Sequence, residues 1–192
     1  GLSCTPPPLS RGPWLTFRSA HGADRGVAPQ PLVHGAGSDD GTWDWLTRDS
    51  RVRAVVEKDD GMYDGINRGF RRAQGELLGH LNCDEQYLPG ALARVVEYFD
   101  RHPEVDVVLA DTVVVDGEGR YLCERKAVPP QRYHSLAGGG LSYLTCSAFM
   151  RRRAVAALGL PFDTRWRLLE ADVWAVRRGD TGGRRGVPGG LT

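Results

Sequence analysis

The side chains best suited to chemistry form one polar, acidic cluster at the end of a short apolar run. Residues 77–81 have the pattern of a buried strand, and the chain then continues into Asn82, Asp84 and Glu85. Carboxylates at the carboxyl end of a strand lie where α/β sheets bind ligands. Two adjacent carboxylates offer hard oxygen ligands of the kind that Mg²⁺ or Mn²⁺ prefers, and such a cation commonly serves phosphate chemistry. The cluster therefore predicts a cation site, although a surface turn that caps the next helix explains the same residues.

The elements that must position this cluster alternate between strands and helices. Apolar runs and turn residues predict strands at residues 2–5, 31–34, 51–57, 77–81, 105–110 and 147–150. Helical spacing and end signals predict helices at residues 13–20, 42–47, 64–74, 89–101, 151–158 and 166–178. Residues 112–115 and 120–123 flank a turn and predict a small antiparallel hairpin. This order predicts an α/β fold with a mostly parallel central sheet flanked by helices.

Composition excludes several classes of protein. The 25 basic and 24 acidic side chains leave a net charge of +1, which gives no argument for a nucleic-acid partner. No apolar run approaches the roughly 20 residues of a membrane span, and the first residues do not resemble a signal peptide. The four cysteines lack zinc-site spacing, so we expect reduced thiols in a cytoplasmic protein. We expect one domain over residues 1–178 and a flexible or truncated tail over residues 179–192.

An ordered series of motifs runs through the chain. Thr5-Pro6 comes first, a Gly-rich loop at residues 35–42 follows, and Leu-Asn-x-Asp-Glu occupies residues 81–85. The acidic run between the last two contains Glu57, Asp59, Gly61, Tyr63, Asp64, Asn67 and Gly69. Phe149 and Arg151 continue the series. Together these motifs resemble the family 2 glycosyltransferases, which are nucleotide-sugar-dependent enzymes with the GT-A fold; the match is strongest from residue 57 to residue 111.

The resemblance implies a single GT-A-like nucleotide-binding domain that transfers a sugar, of the hexosyl type, from a nucleotide-diphosphate donor to a hydroxyl acceptor with inversion. The acceptor would be a polysaccharide, a lipid-linked glycan or a small molecule, and the protein would be cytoplasmic or peripheral to the inner face of the membrane. Metal ligands would be Asp84 and Glu85, binding Mn²⁺ or Mg²⁺. The catalytic base would be Asp172, with Glu170 as its rival. Contacts to the nucleotide sugar would come from Thr5, Pro6, Gly35, Asp59, Gly61, Asp64, Asn67 and Asn82.

The chain departs from the family pattern at two of these positions. Gly35 stands where the family has an aspartate that contacts the nucleotide; His34, Asp39 and Asp40 are candidates to replace it. Glu85 stands where the family has a shorter aspartate. Gly35, together with Asn82 and the short C-terminal part of the chain, favours as an alternative a catalytically inactive relative that binds a nucleotide sugar or a glycan. A nucleotidyltransferase is a third hypothesis, but the phosphate-loop signature expected of one is missing.

Two features also have purely structural interpretations. Asp64 is suited to be the N-cap of the helix predicted at residues 64–74. Arg68, Arg71 and Arg72 on that helix could meet a phosphate, although a solvated basic face explains them as well.

Overall fold

Short parallel and antiparallel strands, connected by helices, make up the computed structural model of this chain. It describes residues 29–35, 37, 41–82, 84–128, 144–158, 162 and 185–186. The first strands form a parallel pair, β1 (Leu32–Gly35) and β2 (Arg53–Val56), joined through the short helix α1 (Thr42–Leu46). Helix α2 (Met62–Arg72) follows β2 and lies against β1. The carboxyl ends of both strands therefore lie at one edge, where the Gly35 and Glu57 backbones are hydrogen-bonded.

A second sheet has the strand order β3-β7-β4-β8. Its strands are β3 (Leu77–Gly79), β4 (Val107–Leu109), β7 (Ala148–Arg151) and β8 (Arg185–Gly186), and helices α3 (Ala91–Arg101) and α4 (Arg152–Leu158) follow β3 and β7. Strand β7 is antiparallel to both β3 and β4, while β8 is parallel to β4. Strands β3 and β4 therefore run in the same direction. They share no hydrogen bonds, because β7 lies between them.

The core lies on both faces of this sheet. Val107 and Leu109 face a cluster that contains Phe70 of α2, whereas Val108 between them faces a cluster that contains Val95 and Phe99 of α3. Successive strand residues point to opposite faces, so a strand covered by helices on both sides must be apolar throughout. All three residues of β4 are buried accordingly. The result is a helix–sheet–helix arrangement that holds the end of β3 in a fixed place.

A hairpin outside this core joins β5 (Thr112–Val115) to β6 (Tyr121–Arg125). Its turn is closed by the Asp116 carboxylate, which accepts hydrogen bonds from the backbone N–H groups of Glu118 and Arg120. Every residue of β6 is exposed. In the part of the chain that the structure describes, no helix combines the length and apolar character needed to cross a membrane.

The α/β class and the antiparallel hairpin that the sequence predicts are confirmed, and the observed sheet is mixed because β7 inserts between β3 and β4. Helix α2 begins at Met62, two residues earlier than predicted, and its N-cap is Gly61. Asp64 is therefore a first-turn residue and not the N-cap. The predicted elements at residues 2–5, 13–20 and 166–178 lie outside the described residues, and the division at residue 178 stays a prediction.

The Arg151 guanidinium connects β7 to the segment between α3 and β4. Its side chain is 10% exposed, and it donates hydrogen bonds to the carbonyl oxygens of Val105 (3.0 Å) and Phe99 (2.7 Å). The same group lies 5.0 Å from the centre of the Phe99 ring. It also pairs with Glu76, whose side chain is 80% exposed. The Phe99 carbonyl also accepts the His102 N–H (3.2 Å), so the Val105 carbonyl depends more on this side chain.

We expect Arg151→Met to lower the free energy of unfolding by about 2–4 kcal/mol, because it removes charged donors from two buried carbonyls. Arg153→Met is the matched control: Arg153 is 57% exposed and pairs with Asp106, so its loss should cost no more than about 1 kcal/mol. Urea unfolding followed by circular dichroism measures both. Equal losses for the two variants would show that the buried guanidinium has no special role.

Candidate functional site

The predicted cation cluster is a turn at the carboxyl end of β3. The Glu85 backbone N–H donates to the Asn82 carbonyl oxygen (3.2 Å), and the Asn82 backbone N–H donates to the Glu85 carboxylate (2.7 Å). These reciprocal hydrogen bonds close residues 82–85 into a loop that Glu85 itself holds. Asp84 lies at the exposed part of this loop. The turn therefore separates the two acids that the sequence places side by side.

The Glu85 carboxylate also contacts a buried thiol. Cys146 donates a hydrogen bond to the Glu85 carboxylate, and burial, followed by the negative charge of Glu85, raises the pKa of the Cys146 thiol to about 12. Burial also raises the pKa of the nearby Tyr87 and lowers the pKa of His80, which favours the neutral form of both side chains. Cys146 is consequently a neutral hydrogen-bond donor and not a nucleophile. Sequence reasoning missed it because it lies 61 positions after Glu85 in the numbering.

The donor set fits a cation that takes few protein ligands. Within the described residues, no three His, Cys, Asp or Glu side chains come together in a ready-made metal cage. Asp84 presents an exposed carboxylate, whereas the Glu85 carboxylate is partly buried and one of its oxygens already accepts the Asn82 N–H. A hard cation such as Mg²⁺ retains several waters and takes phosphate oxygens as ligands, so one carboxylate is a sufficient protein contribution. Asp84 is thus the better placed of the two predicted ligands.

A second acidic loop leads from β2 into α2. The Asp59 Oδ1 atom accepts a hydrogen bond from the Gly61 N–H (3.1 Å), and Gly61 adopts φ 123°, a conformation suited to glycine. Asp64 accepts from the Asp60 N–H (3.2 Å) and from Arg68 Nε (2.8 Å). The hydrogen bond from Arg68 lowers the pKa of the Asp64 carboxyl. The loop conformation is therefore set by its own carboxylates before any ligand binds.

Two arginines of α2 form ion pairs with acids that lie at or after the end of β2. Arg72 makes a two-pronged contact with Glu57 at 2.5 and 2.8 Å, and the hydrogen bond from Arg72 lowers the pKa of the Glu57 carboxyl. Arg68 pairs with Asp64. Only Arg71 of the three predicted basic residues is fully exposed on this helix. The interpretation of the group as one solvated face is thus wrong for Arg68 and Arg72.

Asn67, which the resemblance assigns to the nucleotide sugar, has a structural task. Its side chain is buried, donates through Nδ2 to the Phe162 carbonyl oxygen (2.7 Å) and accepts from the Phe162 N–H (3.2 Å). The Phe162 ring in turn stacks on Tyr63 at 5.2 Å. Both ends of the amide are therefore occupied by backbone, so this geometry favours positioning of the chain over direct contact with a ligand.

Gly35 is the position with no side chain to offer a nucleotide, and the structure explains why it is glycine. A Cβ at Gly35 would lie 2.0 Å from Trp43 Cζ2 and 2.7 Å from Cη2. The indole of Trp43, on α1, fills the space that an aspartate would need. This steric exclusion depends on the folded contact between β1 and α1, so no local sequence pattern could have indicated it.

The predicted site residues thus form two described groups, each after the carboxyl end of a strand. Asp59, Gly61, Asp64 and Asn67 follow β2, while Asn82, Asp84 and Glu85 follow β3. Gly35 ends β1. Thr5, Pro6, Glu170 and Asp172 lie outside the described residues, as do Asp39 and Asp40. The nucleotide and catalytic roles of these residues stay predictions.

Comparison with known proteins agrees with this fold and these motifs. The model of the family described as Glycosyl transferase family 2 matches residues 36–159. That match spans both acidic loops and strands β2 to β7. The chain therefore belongs to glycosyltransferase family 2.

Individual relatives are longer than this chain. An uncharacterized glycosyltransferase of Nostoc sp. is 25% identical over 144 residues, which are 69% of this chain and 44% of that protein. Staphylococcus aureus TarS, solved with UDP, superposes with a TM-score of 0.63 at 14% identity, over 84% of this chain and 48% of its own. A Pyrobaculum calidifontis mannosyltransferase, solved with GDP-Man and Mn²⁺, gives a TM-score of 0.64 at 17% identity, over 97% and 57%. The chain spans about half the length of these relatives, and the two structures establish its GT-A fold.

We expect Gly35→Asp to lower the free energy of unfolding by about 1–3 kcal/mol, because its Cβ overlaps the Trp43 indole, and not to strengthen nucleotide binding. Gly69→Ala is the matched control. No atom lies within 4 Å of a Cβ at this helical position, so we expect a gain of about 0.5–1 kcal/mol. Chemical unfolding measures stability, and titration with UDP or GDP measures affinity. Tighter nucleotide binding by an equally stable Gly35→Asp variant would contradict the steric explanation.

Proposed function

We propose that this chain transfers a sugar, of the hexosyl type, from a nucleotide-diphosphate donor to a hydroxyl acceptor with inversion at the anomeric carbon. The observation that carries the proposal is the turn after β3, which presents Asp84 to solvent in a chain of glycosyltransferase family 2. An exposed carboxylate at a strand end is a suitable partner for a cation that also binds the donor diphosphate.

The donor would be held by the two acidic loops. Asp59 and Asp64 offer carboxylate oxygens to ribose hydroxyls or to a base N–H, and Gly61 lets the backbone pass close to the ligand. The solved relatives named above bind UDP in one case and GDP-Man with Mn²⁺ in the other. Those ligands support a nucleoside-diphosphate donor for this chain, and they leave its base open.

The cation would be Mn²⁺ or Mg²⁺, held on the protein side by Asp84. Glu85 would support it chiefly by keeping the 82–85 turn closed, and Asn82 would supply the backbone N–H that holds Glu85 in place. A bound divalent cation stabilises the negative charge that the departing diphosphate acquires. The chain's own contribution is to fix one ligand at the strand end and to leave the other positions to phosphate and water.

Transfer needs a base for the acceptor hydroxyl, and Asp172 is our assignment. Its carboxylate would take the hydroxyl proton while the acceptor oxygen bonds to the anomeric carbon and the bond to the diphosphate oxygen breaks. The diphosphate leaves with the bonding electrons from the opposite face, which inverts the configuration. Glu170 is the rival base. The acceptor would be a polysaccharide, a lipid-linked glycan or a small molecule, in a cytoplasmic protein or one peripheral to the inner face of the membrane.

One set of observations favours a second candidate, a relative that binds nucleotide sugars or glycans without turnover. The Trp43 indole replaces the acid expected at residue 35, and the Asn67 amide is occupied by the Phe162 backbone. At residues 35 and 67, therefore, the chain has less to offer a nucleotide than the family pattern implies. Metal-dependent nucleotide binding without hydrolysis or transfer of any donor sugar would favour this candidate over the transferase.

We expect Asp84→Ala to abolish the increase in UDP or GDP affinity that Mn²⁺ produces, because it removes the exposed carboxylate of the turn. Glu85→Gln keeps an oxygen that can accept from the Asn82 N–H, so most of the metal effect should remain. Calorimetric titration with Mn²⁺, and again with EDTA, measures the difference. Asp100→Ala, an exposed acid of α3, is the charge-matched control.

Removal of the metal is part of the same experiment. EDTA should lower the affinity of the unmodified protein to that of Asp84→Ala and should leave Asp84→Ala unchanged. An Asp84→Ala variant with an undiminished Mn²⁺ effect would remove Asp84 as a ligand, and a loss confined to Glu85→Gln would transfer that role to Glu85.

We expect Asp172→Asn to lower the rate of sugar transfer by at least about 10²-fold while donor affinity is unchanged, because general-base assistance is lost without a change in shape. Glu170→Gln is the matched variant and should retain most of the rate. Transfer of a radiolabelled sugar and titration with the donor measure the two quantities. The opposite pattern would make Glu170 the base.

A further inference from the structure

His34 is a buried histidine at the carboxyl end of β1 that the function as proposed so far does not use. Its side chain is only 8% exposed. Neither ring nitrogen has a hydrogen-bond partner among the described residues. An unsatisfied buried polar group costs folding free energy, so a histidine here requires an explanation where an apolar strand residue would pack at no such cost.

Two carboxylates face the ring. Nε2 lies 3.4 Å from Asp59 Oδ2, and Nδ1 lies 3.7 Å from Glu57 Oε1. Both distances exceed those of good hydrogen bonds, which for N–H to O are about 2.7–3.2 Å. The Glu57 carboxylate already accepts two hydrogen bonds from Arg72, at 2.5 and 2.8 Å. Asp59 Oδ2, in contrast, lies 3.4 Å from His34 Nε2. The Asp59 side of the ring is therefore where a stronger hydrogen bond can still form.

Packing maintains this arrangement from the side of α2. A Cβ at Gly65 would lie 2.8 Å from Asp59 Oδ2 and 3.2 Å from His34 Cδ2. Glycine at this helical position lets the carboxylate and the imidazole approach each other beneath the helix, although glycine lowers helix stability there. The three residues come from β1, from the loop after β2 and from α2, so the contact depends on the folded structure and not on neighbouring sequence.

We propose that His34 is a positioning residue for the donor nucleotide: its Nε2–H orients Asp59 so that this carboxylate can accept a hydrogen bond from the nucleoside. This inference rests on the proposed nucleotide-sugar function. Gly61 N–H fixes Asp59 Oδ1, and His34 Nε2 lies 3.4 Å from Oδ2 on the buried side, so a small shift would bring these two atoms within hydrogen-bond distance. A carboxylate oxygen can accept more than one hydrogen bond, which leaves Oδ2 able to take a ribose hydroxyl or a base N–H as well.

The same contact compensates for the missing acid at residue 35. Because the acid expected at residue 35 is absent, the chain gains from holding the nucleoside-binding carboxylate of Asp59 in one orientation, since less freedom is then lost on binding. His34 is adjacent in sequence to Gly35 but lies near Gly65, while Trp43 occupies the side of Gly35. His34 thus supports the Asp59 carboxylate without competing for the space that the Trp43 indole fills.

The test uses three substitutions at residue 34, titrated with whichever of UDP and GDP binds the unmodified protein more tightly. The amide nitrogen of His34→Gln can occupy the place of Nε2, whereas that of His34→Asn can occupy only the place of Nδ1. We expect His34→Leu and His34→Asn to weaken nucleotide binding about tenfold. We expect His34→Gln to recover most of the affinity. Affinity loss in His34→Gln with full affinity in His34→Asn would overturn the assignment to Asp59.

A double-mutant cycle separates positioning from a general packing effect. We expect His34→Leu to have little further effect on nucleotide affinity once Asp59→Asn is present, because both changes disable the same oxygen. Combined with Asp84→Ala, His34→Leu should retain its full tenfold effect, since the cation site is independent of this contact. If His34→Leu weakened nucleotide binding by the same factor in the Asp59→Asn background as in the Asp84→Ala background, the proposal would be overturned. If His34→Leu does not fold, His34→Asn takes its place in the cycle, and His34→Gln serves as its control.

His102→Leu, at the end of α3, is the control for replacement of a histidine and should leave nucleotide affinity unchanged. Nucleotide binding with unaltered affinity in His34→Leu would overturn this inference and leave the transferase proposal intact. Failure of UDP, GDP and dTDP to bind the unmodified protein, with or without Mn²⁺, would overturn both together.

Discussion

The buried guanidinium of Arg151 is the contact on which the central sheet depends most. Strand β7 separates β3 from β4, and Arg151 ends β7 by binding the carbonyls of Phe99 and Val105, which flank the passage from α3 into β4. An unpaired buried charge or carbonyl is costly, so these groups must stay together. Because β3 pairs with β7, the same contact keeps the acidic turn after β3 in register with the rest of the sheet.

A second constraint acts at β1, which is covered by different side chains on its two sides. The Trp43 indole occupies the space beside Gly35, and Gly65 admits the His34 ring to the vicinity of Asp59. Each glycine therefore makes room for a larger partner from another element. Glycine at residue 35, which departs from the family pattern, and glycine at residue 65 are parts of one packing arrangement around this strand.

The sequence predicted the elements well where local signals decide them. Residues 77–79 and 107–109 are strands, the turn at residues 116–119 forms, and α3 ends before Pro103 as expected. It failed where distant residues decide. Asn67 is paired with a residue 95 positions away, and Cys146 with Glu85, and no periodicity reports such contacts. Asp64 was assigned to the N-cap because acids favour helix starts, yet Gly61 takes that place with a backbone conformation that suits glycine.

The motif after β3 shows why residue type and spacing identify a site more readily than they assign its tasks. Asp84 and Glu85 carry the same charge and adjoin in sequence, but only the longer side chain reaches back to the Asn82 N–H and the Cys146 thiol. An aspartate at residue 85 would be one methylene shorter and less able to close this turn from the same backbone position. The extra length of Glu85 thus favours different roles for the two acids: Glu85 shapes the loop, and Asp84 remains exposed and accessible to a cation. On this argument the departure from the family's aspartate at residue 85 is compatible with metal binding, because the exposed carboxylate of Asp84 is retained.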